Sequence, residues 1–349
     1  MKNIILFTVL VSFHTKLVWA WGGRGHDSIC ETAAFLVQEP GLAQFLKSRP
    51  HIMGHLCNVP DTQWRSLDAK AKAAGDPTHY VDPEILGFIP KTLPLDLKKL
   101  TADFTGKTNQ YDTEKKIFSV AREMGTSWWR VDQFMRLISG LKPIFEKSPG
   151  PANKSEEQNE QHPYNKSVYE FLIYSGVMGH FVGDSSMPYH NTTNYDGWKN
   201  GHGGIHGYYE DQVVSEISGD LHAKILKEAK KIKKAEYLKP NLSTLEKMRI
   251  FSQIAFDEIK KLEAWDPIIK KSEVKVENGM SLRTAAQRKP PAEALKKIEP
   301  LMISQMARSS VFLAHFWDEA YRSAGKPDLS KYKSYKYPTT VEFIFPDYE

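Results

Sequence analysis

The strongest pattern in the sequence lies in residues 179–190, Gly-His-Phe-Val-Gly-Asp-Ser-Ser-Met-Pro-Tyr-His. Apolar residues before and within this stretch recur every three or four positions, which predicts a helix over 168–187. Pro188 fits the end of that helix, because the residue before a proline disfavours helical backbone. His180 and Asp184 are four positions apart, so one face of the helix carries both side chains.

The same spacing recurs along most of the chain, and alternation with a period of two is scarce. We therefore expect an all-α fold, with further helices over 26–38, 110–145, 205–235, 244–264 and 296–322. The polar, proline-rich residues 146–166 predict an exposed loop. Candidate site residues lie on both sides of it, which favours one large helical domain over 21–325. An irregular tail, rich in Lys and Tyr, is expected over 326–349.

The composition excludes several classes of protein. With 349 residues, 41% of them hydrophobic and 26% charged, the chain is neither disordered, collagenous nor a coiled coil. The net charge of +5 gives little evidence of nucleic-acid binding. The lysine-dense residues 224–239 predict the solvated face of a helix, with a phosphate-binding patch as the alternative. Two cysteines, Cys30 and Cys57, are too few for a disulfide-dense scaffold.

Residues 1–20 are typical of a secretory signal peptide, with Lys2 before an apolar run that ends at Ala20. A histidine and a lysine interrupt the run before it reaches the ~20 apolar residues that a membrane span needs. We expect cleavage between Ala20 and Trp21, no transmembrane anchor, and a secreted or periplasmic protein. Export would permit a disulfide between the two cysteines, but two buried thiols fit the sequence equally well.

Candidate metal ligands lie in residues 179–190 and around them. His190 follows its proline, and His206 and Glu210 again place an imidazole and a carboxylate four positions apart. One such pair is usually a surface contact, but two pairs and a further histidine favour a buried zinc site, since zinc takes nitrogen and oxygen ligands. Further candidates upstream are His26, Asp61 and His79. Five other histidines have no comparable group of histidines and carboxylates around them, and we interpret them as helix-capping or solvated residues: His51, His55, His202, His222 and His315.

In these residues the chain resembles a superfamily that comprises the trinuclear-zinc phospholipases C and the single-strand-specific nucleases of moulds and plants. The resemblance covers nearly all of the chain after residue 20 as an ordered series: Trp21-Gly-Gly-Arg-Gly-His26, Asp61, His79-Tyr-Val-Asp82, His180-Phe-Val-Gly-Asp184, His190 and His206-x3-Glu210. It implies a single large helical domain of the zinc phospholipase C and single-strand nuclease type, with three zinc ions in a cleft.

The resemblance also implies which residues hold the metal. One zinc ion would be held by Asp61, His79, His180 and Asp184, and a second by His190, His206 and Glu210. The third would take the α-amino nitrogen and carbonyl of Trp21 and the imidazole of His26, with Asp184 bridging. The implied activity is hydrolysis of a phosphoric ester by zinc-activated water, with Asp61 also as the catalytic residue that orients or deprotonates that water.

Two substrate classes follow from the two branches. Glu210 in the last ligand position and the short loop from His190 to His206 resemble the phospholipases, whereas the nucleases have Asp and a longer insertion there. The tight spacing of Trp21 and His26 resembles the nucleases. The residues that recognise choline in the choline-specific relatives are replaced here, by ungapped counting, by Arg24, Thr62 and Asp76.

Phospholipid at a membrane surface is therefore the expected substrate, and single-stranded nucleic acid is the alternative. Tyr80 and Asp82 are candidate substrate-binding residues, because a tyrosine ring and a carboxyl group could stack on and hydrogen-bond a base. A third hypothesis, of a different class, is a secreted zinc-binding or adhesive protein without activity. The sequence makes no prediction about head group or oligomeric state.

Overall fold

The computed structural model describes residues 21–234, 237–277 and 280–348. Over these residues the protein is mostly helical with a few short strands, as the sequence predicted for the fold class. The α-helices are α1 (Gly22–Leu36), α2 (Pro40–Lys47), α3 (Pro50–Thr62), α4 (Ala69–Gly75), α5 (Leu97–Phe104), α6 (Val120–Met124), α7 (Ser127–Ser139), α8 (Lys142–Lys147), α9 (Lys154–Gln158), α10 (Pro163–Ser186), α11 (Ile205–Gly207), α12 (Leu221–Ala229), α13 (Thr244–Asp257), α14 (Ile259–Trp265) and α15 (Pro291–Ser323). The strands are β1 (Ile268–Lys270), β2 (Glu273–Glu277), β3 (Met280–Thr284) and β4 (Gln287–Arg288).

The predicted signal peptide, residues 1–20, lies outside the described residues, so its cleavage stays a prediction. Across the part of the chain that is described, none of the helices combines the length and the hydropathy needed to cross a bilayer.

Helix α10 is the centre of the fold. It begins at Pro163, where the missing backbone N–H is tolerated, and it ends shortly before Pro188. Every residue from Ser175 to Ser186 is buried, because α1, α3, α7, α13 and α15 pack around the helix. The polar side chains of His180 and Asp184 are thereby held in the interior of the molecule.

Two glycines let the neighbouring helices approach α10 closely. A Cβ atom at Gly183 would lie 2.7 Å from Cε1 of His26 on α1, and one at Gly179 would collide with the sulfur of Cys30 on the same helix. Larger residues at these positions would push α1 away from α10. The glycines therefore set the distance between His26 and the ligands on α10.

Three predicted helices differ from the structure, and the one predicted over 244–264 is divided at Glu258 into α13 and α14. The helix predicted over 205–235 is wrong as a single element, because Gly219 adopts a φ of 76° and Asp220 then caps a new helix, α12, with its side chain. The helix predicted over 110–145 begins only at Val120 and is divided into α6, α7 and α8.

The strands in residues 268–289, which we call the hairpin segment, were not predicted from the sequence. Strand β1 pairs with β4 and β2 pairs with β3, both antiparallel, with Val274 opposite Arg283 and Val276 opposite Ser281. The sequence did carry a signal, since these valines alternate with charged residues and an Asn-Gly pair at 278–279 favours a two-residue hairpin turn.

The C-terminal tail is irregular apart from the 3-10 turn Leu329–Lys331, but it packs firmly on the domain. The indole of Trp64 donates to the carbonyl of Val341 at 3.0 Å, and the buried guanidinium of Arg130 donates to the carbonyl of Ile344 at 2.5 Å. The tail thus contacts Trp64, which follows α3, and Arg130 on α7.

Candidate metal centre

Five predicted ligands meet against the inner end of α10. That helix supplies His180 and Asp184, α1 supplies His26, α3 supplies Asp61, and the 3-10 turn Asp76–His79 supplies His79. Oδ1 of Asp184 lies 3.3 Å from Nε2 of His26. Its Oδ2 lies 3.0 Å from Nδ1 of His79 and 3.3 Å from Nε2 of His180. Oδ1 of Asp61 lies 3.8 Å from each of those two nitrogens.

These five side chains are buried and form two overlapping groups that could each hold a metal ion. The first group is His26, His180 and Asp184, and the second is Asp61, His79 and His180. His180 belongs to both, and the two oxygens of Asp184 face different histidines. One carboxylate is therefore placed to bridge two metal positions.

A third group consists of His190, His206 and Glu210. Nε2 of His206 lies 2.8 Å from Oε1 of Glu210, and Nε2 of His190 lies 3.6 Å from Oε2. Glu210 lies in a π-helical turn, Tyr208–Val213, a feature often found at functional sites. The predicted spacing of His206 and Glu210 thus brings both side chains to one point.

Backbone carbonyls fix the ring orientation of three histidines. The Nδ1 atoms of His180, His190 and His206 lie 2.8, 2.7 and 2.9 Å from the carbonyl oxygens of Cys57, His79 and Tyr195, respectively. A carbonyl only accepts, so each Nδ1 donates and each Nε2 faces the centre. Metal-binding histidines typically have this arrangement, since the outer hydrogen bond fixes the tautomer and raises the basicity of the ligating nitrogen.

When the imidazoles are neutral, the inward-facing atoms are acceptors placed against other acceptors. Nε2 of His190 and Nε2 of His206 are 3.2 Å apart, and a carboxylate oxygen of Glu210 lies beside them. Within the described residues, three carboxylate oxygens accept no hydrogen bond: both oxygens of Glu210 and Oδ1 of Asp184. Lone pairs at these distances repel unless a cation lies between them, and imidazole nitrogens with carboxylate oxygens suit a divalent metal. The residues present therefore fit metal ions.

The electrostatics of the protein alone show the same demand for positive charge. Burial acts to lower the pKa of His190, but the charges of Asp184 and Glu210 outweigh it and raise this pKa to about 9. Burial opposes ionisation of Asp184, yet His180 and His190 hold the pKa of that carboxyl well below its ordinary value. For His26, burial and the charge of His180 lower the pKa. The carboxylate of Asp184 thus remains ionised in the interior and attracts cations.

A disulfide ties two of the ligand-bearing helices together. Cys30 on α1 is bonded to Cys57 on α3, with a Cα–Cα distance of 6.4 Å, which decides between the two possibilities that the sequence left open. Since the carbonyl of Cys57 also orients His180, the bond lies directly behind the centre. A disulfide is compatible with an extracellular protein.

Trp21 is placed beside the ligands on α10. Its buried indole donates from Nε1 to the carbonyl of Gly183 at 3.0 Å and to Oγ of Ser186 at 2.8 Å, which flank Asp184. Its own carbonyl accepts the N–H of Gly25 at 3.1 Å within α1. The indole packs in the core, and ligation by the amine of Trp21 stays a prediction.

A cleft of about 720 Å³ opens onto the centre, and His79, His190 and His206 are in its wall. Both predicted substrate-binding residues, Tyr80 and Asp82, line the same cleft. Burial, and then the charge of nearby Glu84, raise the pKa of Asp82 well above its ordinary value. A protonated carboxyl group could donate a hydrogen bond to a substrate, and contact with substrate stays a prediction for both residues.

Sequence reasoning missed two residues of this region. Arg65 lines the cleft, and its Nε lies 3.0 Å from Oδ1 of Asp61. Its position four residues after Asp61 was a usable signal, although Arg65 itself lies in the 3-10 turn Trp64–Ser66 that follows α3. Asp196 accepts the backbone N–H of His206 at 3.1 Å and the indole N–H of Trp198 at 2.8 Å. It lies in a loop, where no spacing rule could have indicated the contact.

His202 lies outside the three groups of candidate ligands, but its interpretation as a capping or solvated residue is wrong, because its side chain is only 14% exposed. Its Nδ1 lies 2.8 Å from Oδ2 of Asp266, a carboxylate that also pairs with Arg288. His206, four positions later, faces Glu210 instead.

Comparison of the sequence with protein-family models gave no match, and a search of curated proteins gave none either. Fold and site together define the class: a mostly helical protein with three buried groups of histidine and carboxylate side chains that could hold metal ions beside one cleft.

Proposed function

We propose that this protein is a secreted zinc-dependent hydrolase of phosphoric esters, with phospholipids as its substrates. The observation that carries the proposal is the bridging position of Asp184, whose two oxygens face His26 on one side and His79 and His180 on the other. Neighbouring metal positions at the wall of an open cleft suit reactions in which an attacking and a leaving oxygen must both be stabilised.

Three zinc ions would occupy the three groups of ligands, with Trp21 completing the group around His26. Bound zinc supplies a Lewis acid that lowers the pKa of water towards neutral and stabilises negative charge on phosphate oxygens. The choice of zinc follows from the resemblance and from the imidazole and carboxylate donors.

The protein's own residues would orient the reactants. Asp61 is buried with Oδ1 beside Arg65, and its carboxylate is the group that we propose to orient the attacking water and accept its proton. Arg65 and Lys72 both line the cleft and provide positive charge that attracts a phosphate anion. Tyr80 and Asp82 would contact the group attached to the phosphate.

The preference for lipid rests on Glu210 in the last ligand position and on the short loop before His206. The start of that loop is held in place, since Glu84 accepts hydrogen bonds from the hydroxyl groups of Thr192 and Thr193 and from the backbone N–H of Thr193. The alternative, a single-strand-specific nuclease that releases 5′-nucleotides, is favoured by Tyr80 and Asp82 in the cleft wall.

The test offers phospholipid vesicles and single-stranded DNA side by side to the purified protein loaded with zinc. We expect release of a phosphorylated head group to be faster than degradation of DNA. An Asp184→Asn variant is the control for contaminating activity, because it keeps the shape of the side chain and removes the bridging charge. Release of 5′-nucleotides with intact lipid would establish the nuclease. Bound metal with no turnover of either substrate would establish a protein without activity.

A further inference from the structure

The hairpin segment, residues 268–289, carries most of the net charge of the chain. It contains six Lys or Arg residues and two Glu residues, a formal charge of +4 within a chain of +5. Five of the six basic side chains are exposed. The sixth, Arg288, pairs with the buried carboxylate of Asp266 at 2.8 Å and anchors the segment. The net charge of +4 already allows for the two Glu residues, of which Glu273 lies 3.0 Å from Lys270 in an exposed pair.

The same segment exposes aliphatic side chains. Ile269 is 67% exposed, Val276 73%, Val274 50% and Leu282 48%. Val274 and Val276 lie on one face of the β2–β3 ribbon, because they stand opposite Arg283 and Ser281, whereas Leu282 stands opposite Lys275 on the other face. A ribbon that served only the core of this protein would bury one of its faces.

The base of the hairpin segment is fixed to the rim of the cleft. The N–H of Ser272 donates to the carbonyl of Gly201 at 3.0 Å, and that of Ala286 donates to the carbonyl of Gly203 at 2.9 Å. A Cβ atom at Gly204, which lines the cleft, would lie 3.3 Å from Cβ of Ala285. Since these glycines lead directly into His206, the hairpin stands beside the entrance to the metal centre.

We propose that the hairpin segment docks the protein on an anionic phospholipid surface and so presents the cleft to lipid head groups. The inference rests on the proposed phospholipase activity and adds to it the way in which the enzyme reaches its substrate. Basic side chains near a bilayer are attracted by anionic lipids, and aliphatic side chains beside them gain free energy when they leave water for the headgroup boundary.

The chemistry of the segment favours lipid over nucleic acid as its partner. Binding to single strands combines basic grooves with aromatic rings on which bases stack. The exposed apolar side chains of β2 and of Leu282 are aliphatic, and the segment contains no Phe, Tyr or Trp. Aliphatic groups would stay exposed to water beside a phosphate backbone but would be buried in a bilayer interface.

The test compares the full protein with a variant that carries Val274→Ser, Val276→Ser and Leu282→Ser. Both are sedimented with vesicles of phosphatidylcholine and phosphatidylglycerol. We expect vesicle binding of the variant to fall about tenfold or more and binding of wild type to weaken as salt increases. A variant with Ile144→Ser and Tyr335→Ser, which are 38% and 84% exposed outside the segment, is the matched control and should bind as wild type does.

Turnover of the soluble diester bis(p-nitrophenyl) phosphate is measured in parallel and should be equal in all three proteins, which shows that the centre is intact. Equal vesicle binding by wild type and the hairpin variant would overturn the docking proposal. The proposal would also fail if the hairpin variant were retained less well than wild type on single-stranded DNA but bound vesicles equally well. If wild type binds vesicles through the hairpin but releases no head group, the proposed function fails and the docking surface stands.

Discussion

A histidine side chain is committed to a role by the partner of its second ring nitrogen, as His202 and His206 illustrate. Nδ1 of His206 donates to the carbonyl of Tyr195, so its Nε2 is available beside Glu210. Nδ1 of His202 instead meets the carboxylate of Asp266. Two histidines four positions apart in the sequence thus take different roles.

We expect His206→Ala to lower the metal content of the protein by about one ion per chain, because it removes a nitrogen ligand from a group of three. Elemental analysis after dialysis in zinc-containing buffer measures the change. His202→Ala is the matched control and should keep the metal content of wild type. An equal loss in the two variants would contradict the assignment of His206 and Glu210 to the centre.

A second feature of single residues is a partly buried ion pair whose members do not line the cleft. The ammonium group of Lys247, whose side chain is 2% exposed, lies 2.6 Å from Oε1 of Glu319, and Nε2 of His315 lies 3.1 Å from the same oxygen. Burial acts to raise the pKa of Glu319, but His315 and Lys247 outweigh it and lower the pKa below 4.5. A lowered pKa in the folded state means that the pair stabilises the protein above pH 4.5 and that this contribution is lost as the pH falls through the lowered value.

We expect Glu319→Gln to lower the free energy of unfolding at neutral pH by about 1–3 kcal/mol, since the ammonium of Lys247 would lose its charged partner. The difference from wild type should shrink in acid, where Glu319 is protonated. Urea unfolding at pH 7 and in acid measures both effects. Glu146→Gln, which affects an exposed pair with Lys142 at 3.7 Å, is the control and should change stability little. A difference that persists unchanged in acid would contradict the argument.

Helix α3, which carries Asp61, is held in its conformation by tertiary contacts. Helix α3 contains Gly54 and Pro60, which are poor residues for a helix interior, yet it continues to Thr62. It does so because it packs on α1 and α10 and is bonded to α1 through Cys57. Asp61 at its end is positioned by these tertiary contacts rather than by local propensity.

We expect replacement of Cys30 and Cys57 by serine to lower the free energy of unfolding by about 3–4 kcal/mol, the loop-closure value for a separation of 27 residues. The variant should also lose metal more readily, because α1 and α3 carry His26 and Asp61. Denaturant unfolding and metal content after dialysis are measured against wild type. A Cys30→Ala, Cys57→Ala variant controls for the polarity of serine. Unchanged stability together with unchanged metal retention would show that packing alone holds the helices.

Among the secondary-structure elements, long helices could be predicted from the sequence and irregular elements could not. The pattern around α10 and α15 gave helices close to those observed, because their apolar residues repeat over several turns. Helix α3 was missed because its glycine and proline weaken the pattern. The hairpin segment was missed although its alternating valines and Asn-Gly pair were visible, since helical spacing dominates the rest of the chain.

In the molecule as a whole, the centre is assembled from residues far apart in the sequence. The order and chemical type of the candidate ligands could be recognised from the sequence, because His180 with Asp184 and His206 with Glu210 have helical spacing. The carbonyls that orient the imidazoles could not, since the hydrogen bond from His180 to Cys57 spans 123 residues. Contacts of this kind depend on the packed fold and leave no local pattern.

The same assembly places the start of α1 against the turn of α10 that carries Asp184, through the hydrogen bonds of the Trp21 indole to Gly183 and Ser186. His26 on α1 lies 3.3 Å from Asp184. We therefore expect cleavage before Trp21 to create an amino group near His26 and Asp184. An amide nitrogen is a poor ligand because its lone pair is delocalised, whereas a free α-amine has a pKa near 7.7–8.0 and can lose its proton to a metal.

We therefore expect two forms of the protein to differ in metal content: one that starts at Trp21 and one with a single Gly before it. The extended form should keep the metal held by His190, His206 and Glu210, lose the ion beside His26, and hydrolyse the soluble diester much more slowly. Elemental analysis and turnover measure the two effects, and denaturant unfolding controls for folding. Because the indole is buried in both forms, a merely structural role for Trp21 predicts equal metal content and equal activity. That result would remove the amine from the centre and leave Trp21 as a packing residue.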